Sequence, residues 1–182
     1  MFPTTLATER LLLRPPRLED ADAMFQRYTN DPAVTHFLTW KAHESVAQTI
    51  EFIEGKWSLN AVPPKCRWVI CVAGDEAPCG MISAARDDHS FELGYALSRH
   101  QWGRGVMTEA TKLVTAALLQ DSSVWRVAAH THVENVGSQR VLEKAGFQRE
   151  GLLRRAFKIA RTGDTPQDAY LYARVRDDVG EG

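Results

Sequence analysis

Between residues 67 and 97 three apolar stretches follow one another with almost nothing between them, and that spacing limits the fold more than any other feature. Residues 67–72 (Arg-Trp-Val-Ile-Cys-Val) and 80–84 (Gly-Met-Ile-Ser-Ala) read as strands joined by a turn around Gly74-Asp75. Asp87-Asp88-His89 forms a second turn, and residues 91–97 a third strand. Parallel neighbours need a crossover of roughly a dozen residues, so connections this short force an antiparallel meander.

Helical and strand patterns lie on both sides of it. Residues 11–14 read as a first strand stopped by Pro15-Pro16. Leu18, Ala21, Met24, Phe25 and Tyr28 recur at helical spacing, and Asn30-Asp31-Pro32 ends that helix. A second helix runs from Ser45 to Leu59 with Val46, Ile50, Ile53 and Trp57 on one face, followed by a loop over residues 60–64. Downstream come a helix over 105–120, a strand over 124–131, and a short helix over 135–145 closed by Gly146. Residues 147–159 and 169–175 pair as a closing hairpin around Thr162-Gly163-Asp164. With no repeat or linker, one mixed α/β domain over residues 1–182 is expected.

Overall charge supplies no binding device. The net charge is −1, so an anion must be held locally, and direct nucleic-acid binding is not expected. Cys66, Cys71 and Cys79 sit in or beside strand runs without metal-like spacing, and read as buried thiols in a reducing cytoplasm. No metal site is expected. Met1-Phe2-Pro3-Thr4-Thr5 lacks the basic and apolar regions of a signal peptide, and no apolar run approaches the ~18 residues of a membrane span. A cytoplasmic location follows as an expectation.

The local device is the loop between the third meander strand and the 105–120 helix, Trp102-Gly103-Arg104-Gly105-Val106-Met107. Its glycines allow a tight turn and close approach of backbone N–H groups to a ligand. The first N–H groups of the helix lack intrahelical partners, and the helix dipole favours an anion there. Arg104 and the Thr108 hydroxyl can add donors. Neither the dinucleotide fingerprint nor the P-loop pattern is present. Taken alone, two glycines can equally end a strand and cap a helix.

Two further stretches flank this loop: Glu92-Leu93-Gly94-Tyr95-Ala96-Leu97 before it, and residues 134–147, Glu-Asn-Val-Gly-Ser-Gln-Arg-Val-Leu-Glu-Lys-Ala-Gly-Phe, after it. With Trp102 to Ala110 between them, they resemble the GCN5-related N-acetyltransferase (GNAT) superfamily, and within it the RimJ/RimL branch that acetylates N-termini of ribosomal proteins. Thr8-Glu9-Arg10-Leu11-Leu12-Leu13-Arg14 and Tyr170-Leu171-Tyr172-Ala173-Arg174 are similar to that branch as well. The resemblance implies an α/β fold of about seven strands, mixed but mostly antiparallel, with four main helices. Its two central strands, here 91–97 and 124–131, should splay. Acetyl-CoA would enter the wedge as cosubstrate, its pantetheine amides pairing with backbone near Ala96 and Leu97. Its pyrophosphate would lie on Trp102, Gly103, Arg104, Gly105, Val106, Met107 and Thr108. Asn135, a natural helix cap, would also bond the pantetheine arm. The chain departs from the pattern at Leu142, where a Tyr acid is usual, and at Phe157, where the branch can place a Glu.

Acyl transfer to an amine needs a neutral nucleophile, a stabilised oxyanion and a leaving thiolate. A terminal α-amine, with a pKa near ~8, needs less help from a base than a Lys near ~10. Glu92, on a strand beside the wedge, is the first candidate base, acting through a water. His130 on the other splayed strand is the second, and His132 shares its parity. The resemblance to the ribosomal-protein branch implies Ser138, one turn beyond Asn135, as the candidate acid. Backbone N–H groups at a strand bulge near Ala96 and Leu97 are the expected oxyanion donors. Phe37, Trp40 and Trp57 are expected to line the acceptor cleft or the core, and Asp88-His89 and His36 to be turn and loop residues. The implied acceptor is an amine, either a protein N-terminus or a small molecule such as a polyamine, aminoglycoside or amino acid, with the enzyme a monomer or homodimer. A non-catalytic acyl-CoA-binding domain is the contrasting reading.

Overall fold

A computed structural model describes residues 3–55 and 65–179 of the chain. Its eight strands, β1 (Leu6–Ala7), β2 (Leu11–Arg14), β3 (Lys65–Val72), β4 (Asp75–Asp87), β5 (Ser90–Leu97), β6 (Arg126–His132), β7 (Gln148–Phe157) and β8 (Gln167–Val175), form one sheet. Their order is β1-β2-β3-β4-β5-β6-β8-β7. The predicted meander is β3-β4-β5, paired antiparallel throughout. Among the described strands only β5 and β6 run parallel, joined by the crossover that contains the glycine loop and its helix.

Among the described residues five α-helices accompany the sheet: α1 (Ala21–Met24), α2 (Pro32–Thr35), α3 (Val46–Glu54), α4 (Val106–Leu119) and α5 (Val136–Lys144). The counts exceed the expected seven strands and four helices because β1 and α2 are short additions. Residues Asn30-Asp31-Pro32 read as a helix stop, yet they also start the next turn. The Asp31 carboxylate accepts from the Ala33 N–H at 2.9 Å and Pro32 stands in the first turn, where its missing N–H costs nothing. The expected extension of α3 to Leu59, with Trp57, and the loop over 60–64 lie outside the described residues.

The strand alternation divides the core in two. On one face of the sheet Trp68, Ile70, Ile82, Phe91, Leu93 and Val127 pack against Val106, Ala110, Val114 and Leu118 of α4 and Leu142 of α5. On the other, Val69, Met81 and Ala96 pack against Met24 and Tyr28 of the first helical segment and Phe52 and Ile53 of α3. Burying each such side chain is worth about 1.5–3 kcal/mol, and the period-2 pattern makes any one-residue slip of register costly. Where β4 crosses β5 the packing is backbone on backbone: a Cβ at Gly80 would lie 2.8 Å from the Ala96 carbonyl oxygen.

The sheet opens at its centre. β5 and β6 pair from Ser90↔Arg126 to Leu93↔Ala129, and their register ends there, although β5 continues to Leu97 and β6 to His132. The β4–β5 register meanwhile runs without irregularity through Met81↔Ala96 and Gly80↔Leu97. The expected strand bulge near Ala96 and Leu97 is therefore absent; the wedge comes from divergence of β6 rather than from an extra residue in β5.

Candidate active site

Two cavities meet in that wedge. One, of about 580 Å³, lies on the α1/α3 side of the sheet, between Phe37, Trp40 and Phe52 above and Arg67, Glu92 and His130 on the strands below. The other, of about 850 Å³, runs along the glycine loop and the starts of α4 and α5. Phe37, Leu38, Tyr95, Ala96, Asn135 and Ser138 line both, so the two spaces join between β5 and α5.

Local backbone chemistry shapes the second cavity. Gly103 and Gly105 take φ of 74° and 78°, left-handed values that a side chain disfavours, and no atom approaches within 4 Å of where either Cβ would stand. The first turn of α4 begins at Val106, its earliest closing bond being Glu109 N–H to the Gly105 carbonyl at 3.0 Å. The N–H groups before Glu109 have no carbonyl one turn back to receive them. Trp102 pins the loop to the end of β5, its Nε1 donating to the Leu97 carbonyl at 2.8 Å. Of the residues predicted for cofactor binding, Ala96, Leu97, Trp102, Gly103, Gly105, Val106, Met107, Thr108, Asn135 and Ser138 line this cavity. Arg104 does not: its guanidinium reaches Gln101 at 3.4 Å and its carbonyl accepts from Arg10 at 3.1 Å. Lys112 of α4 and Arg140 and Lys144 of α5 line the cavity too and were missed, because nothing in the sequence shows that these two helices turn their cations to one space.

Backbone groups on β5 divide by parity. Ser98 N–H donates to the Cys79 carbonyl at 2.8 Å, and antiparallel alternation then turns every second residue toward β4. The polar backbone groups of Tyr95 and Leu97 are left facing the gap where β6 has departed, while those of Ala96 bond within the sheet. An elongated ligand with amide groups can pair with such an edge.

The first cavity holds the titratable groups. Glu92 on β5 and His130 on β6 project from the same face, and the carboxylate Oε1 lies 2.7 Å from the imidazole Nδ1. That hydrogen bond raises the His130 pKa above the ordinary imidazole value, against the lowering effect of its partial burial. With an ionised Glu92, Nδ1 carries the proton and Nε2 is left as the basic atom of the neutral ring. Phe157 stacks near the same imidazole, ring centroids 6.4 Å apart. It is carried there by an irregular stretch of β7 in which Arg155 adopts a φ of 52°, held by the Asp168 carboxylate at 2.9 Å. His132 is buried, stacks on Phe37 at 5.0 Å, and its Nδ1 accepts from the Glu134 N–H at 3.2 Å. Burial holds its pKa below the usual value, so it is a neutral packing residue.

At the junction Ser138 is fixed twice. Its N–H donates to the Asn135 side-chain oxygen at 3.1 Å, and its Oγ lies 2.8 Å from the Tyr95 hydroxyl. Burial pushes the Tyr95 pKa well up, which keeps the phenol protonated and able to donate. Tyr95 escaped the sequence reading, since nothing about a strand Tyr in Gly-Tyr-Ala indicates which helix it will reach. A strap ties down the segment that lines both cavities: Ala160 N–H donates to the Leu38 carbonyl at 2.9 Å, and the Arg161 guanidinium to the His36 carbonyl at 3.1 Å. Asp88 and His89 pair with each other at 2.9 Å in an exposed turn away from both cavities. Among the described residues no group of three or more His, Cys, Asp or Glu could hold a metal ion, and no helix is long and apolar enough to cross a membrane.

Comparison with known proteins follows the same lines. The family model described as "Acetyltransferase (GNAT) domain" matches residues 10–148. The chain is 33% identical over 153 residues to a Bacillus licheniformis protein described as the uncharacterized N-acetyltransferase p20, covering 82% of this chain and 85% of that one. It is 31% identical over 179 residues to the uncharacterized N-acetyltransferase YoaA of Bacillus subtilis, covering 97% and 98%. In fold it is similar to RimL, the ribosomal L7/L12 α-N-protein acetyltransferase solved with coenzyme A, at a TM-score of 0.81 and 19% identity over 96% of this chain and 99% of that one.

Proposed function

The chain belongs to the GNAT acetyltransferase family, and from that premise we propose that it transfers the acetyl group of acetyl-CoA to a primary amine, with a protein N-terminal α-amine as the acceptor. The observation that carries this reading is the meeting of two cavities at a gap in the sheet, one bordered by a helix N-terminus and the other by the Glu92–His130 pair. The glycine loop and the start of α4 would hold the pyrophosphate, and the backbone edge at Tyr95 and the Leu97 N–H, facing the gap, the pantetheine amides. The residues lining the larger cavity suit such a ligand: a left-handed Gly-x-Gly turn, an aromatic lip at Trp102, and the cations Lys112, Arg140 and Lys144.

Chemistry needs no covalent intermediate. The neutral amine attacks the thioester carbonyl, its surplus proton passes to His130 Nε2, and Glu92 orients and stabilises the resulting imidazolium. Collapse of the tetrahedral adduct breaks the C–S bond and forms the amide. The sulfur leaves as a thiolate that accepts a hydrogen bond from the Ser138 hydroxyl, held by the Tyr95 hydroxyl at 2.8 Å, and takes its proton from solvent, to which His130 returns the proton of the amine. An N–H of β5 facing the gap would carry the oxyanion. The cysteines have no role in this scheme; burial pushes the Cys79 pKa up to about 11, which makes its thiol a poor nucleophile. RimL, a structural relative, is described as an α-N-protein acetyltransferase, which favours the N-terminal acceptor. The walled shape of the 580 Å³ cavity, within the ordinary range of small-ligand sites, favours a small-molecule amine as the second reading. A reducing cytoplasm suits the three unpaired thiols.

Thiol release from acetyl-CoA tests the proposal, with a panel of N-terminal peptides, lysine-side-chain peptides, polyamines and amino acids. Acceptor-dependent release, fastest with α-amines of peptides, is the expected result. Tight acetyl-CoA binding without release from any amine would mean a binding domain and overturn the enzyme reading.

A further inference from the structure

The acceptor-side cavity is walled by aromatic rings brought from three parts of the chain. Phe37 and Trp40 come from the segment between α2 and α3, Phe52 from α3, and Phe157 from β7. Phe37, Trp40 and Phe157 each keep part of their surface exposed while lining this space. Trp40 is braced by Phe52, ring centroids 5.3 Å apart, and Phe37 by His132 at 5.0 Å. Among the described residues of the lining, Glu92 is the only carboxylate, and it already bonds His130 at 2.7 Å. A second cation on an acceptor would find no carboxylate of its own there.

Phe157 reaches this wall through an irregular backbone. Leu153 pairs with Ala169 and Phe157 with Gln167, so four steps of β7 stand against two of β8. Arg155 takes a left-handed φ of 52° within that stretch. Its N–H donates to the Asp168 carboxylate at 2.9 Å and its guanidinium to the Pro166 carbonyl at 3.1 Å. A non-glycine residue in that region is disfavoured and persists where its surroundings hold it, a situation that concentrates at functional sites. The outcome is a phenyl ring beside the His130 imidazole, centroids 6.4 Å apart and planes 23° from parallel. An amine delivered to His130 Nε2 brings the group on its neighbouring carbon within a side chain's length of that ring. A polar group there would give up water for carbon, whereas an apolar group gains by leaving water.

We propose that Phe157, Trp40 and Phe37 form a subsite for a large apolar group, aromatic by preference, carried close to the reacting nitrogen. The preferred acceptor is then a peptide beginning with a residue such as Phe or Leu, or a free arylalkylamine. The inference rests on the reading of this cavity as the acceptor site. Ring pairs add an offset or edge-to-face attraction to the burial of area, which places an aryl group ahead of an aliphatic one of similar size. Polyamines and aminoglycosides are disfavoured, because they carry further cations and no large apolar group.

Acceptors that differ only in this group test it on the unaltered protein. Thiol release from acetyl-CoA is measured for peptides of one sequence beginning with Phe, Leu, Ala or Ser, and for 3-phenylpropylamine against propylamine, at equal concentrations of neutral amine. The expected kcat/KM for the Phe or phenylpropyl acceptor is about tenfold to a hundredfold above that of its Ala or propyl counterpart, the range set by burying one large apolar side chain. The arm with the larger ratio identifies a peptide or a small-molecule source. Phe157→Ala and Trp40→Leu should each lower the ratio several-fold with acetyl-CoA affinity unchanged, and Phe157→Leu should keep part of it. Both members of a pair use the same His130, so a change in the base cancels from the ratio. A ratio of one or less in both arms, or a polyamine faster than every aromatic acceptor, would overturn the subsite while leaving acetyl transfer standing. A ratio untouched by both substitutions in proteins that still bind acetyl-CoA would overturn it too. Release from no amine at all would fell the acceptor-site reading and the subsite with it.

Discussion

Glu92 and His130 are separate candidates in the sequence and one unit in the fold. Their contact at 2.7 Å depends on the parallel register that sets Glu92 opposite Ala128, one same-face position from His130. The two roles differ in pH behaviour. Glu92 raises the imidazole pKa, so the rising limb of kcat/KM should lie above the free value of about 6.5. Glu92→Gln removes the charge that stabilises the imidazolium; the limb should then move to lower pH while acetyl-CoA affinity stays unchanged. If Glu92 were itself the base, the same substitution would erase the limb and lower the rate across the range, typically by ~10²-fold or more. A pH–rate profile of the two proteins separates these outcomes. The linked effect on stability has the opposite sense: a group whose pKa is raised by folding adds stability that is complete below its unfolded pKa and is lost as pH rises through the folded value.

Most elements were legible from pattern, because each rests on local chemistry. The meander follows from turn lengths, and α4 from Val106, Ala110, Val114 and Leu118, all buried on one face. What eluded the sequence depends on distant partners. Gly80 reads as the start of a strand, while its actual constraint is the Ala96 carbonyl opposite. Tyr95 and Arg67 become site residues only when register and the divergence of β6 are known. The expected bulge failed for the same reason: a gap beside β5 can arise from its neighbour. The junction of loop and α4 supports a sharper test. Both Gly105→Asn and Gly105→Asp introduce a side chain at φ 78°, and both residues tolerate left-handed backbone comparatively well, so they differ chiefly in charge. Titration calorimetry with CoA should find Gly105→Asp several-fold weaker than Gly105→Asn, and the two alike toward dephospho-pantetheine fragments. Equal affinities for CoA would place the pyrophosphate elsewhere.

At the scale of the whole molecule, the two cavities hold different residues and meet only where Phe37, Leu38, Tyr95, Ala96, Asn135 and Ser138 line both. Acetyl donor and acceptor therefore need not displace one another. Initial-rate plots against both substrates should intersect, and CoA should inhibit competitively against acetyl-CoA but not against the amine; parallel lines would indicate an acyl-enzyme and contradict direct transfer. The sheet order has a consequence of another kind. β8 lies between β6 and β7, so the last of the described strands is an inner strand, and β7 has no other neighbour among the described strands. During synthesis, β7 is made before the strand it must pair with. The strap from Ala160 and Arg161 to residues 36–38 sits in the same late segment. The glycine loop and α4 are thus complete in the chain before the segment that ties down residues 36–38 is made. Truncation just before β8 would cost the sheet two strands rather than one, because β7, which carries Phe157 to the acceptor cavity, would lose its partner with it.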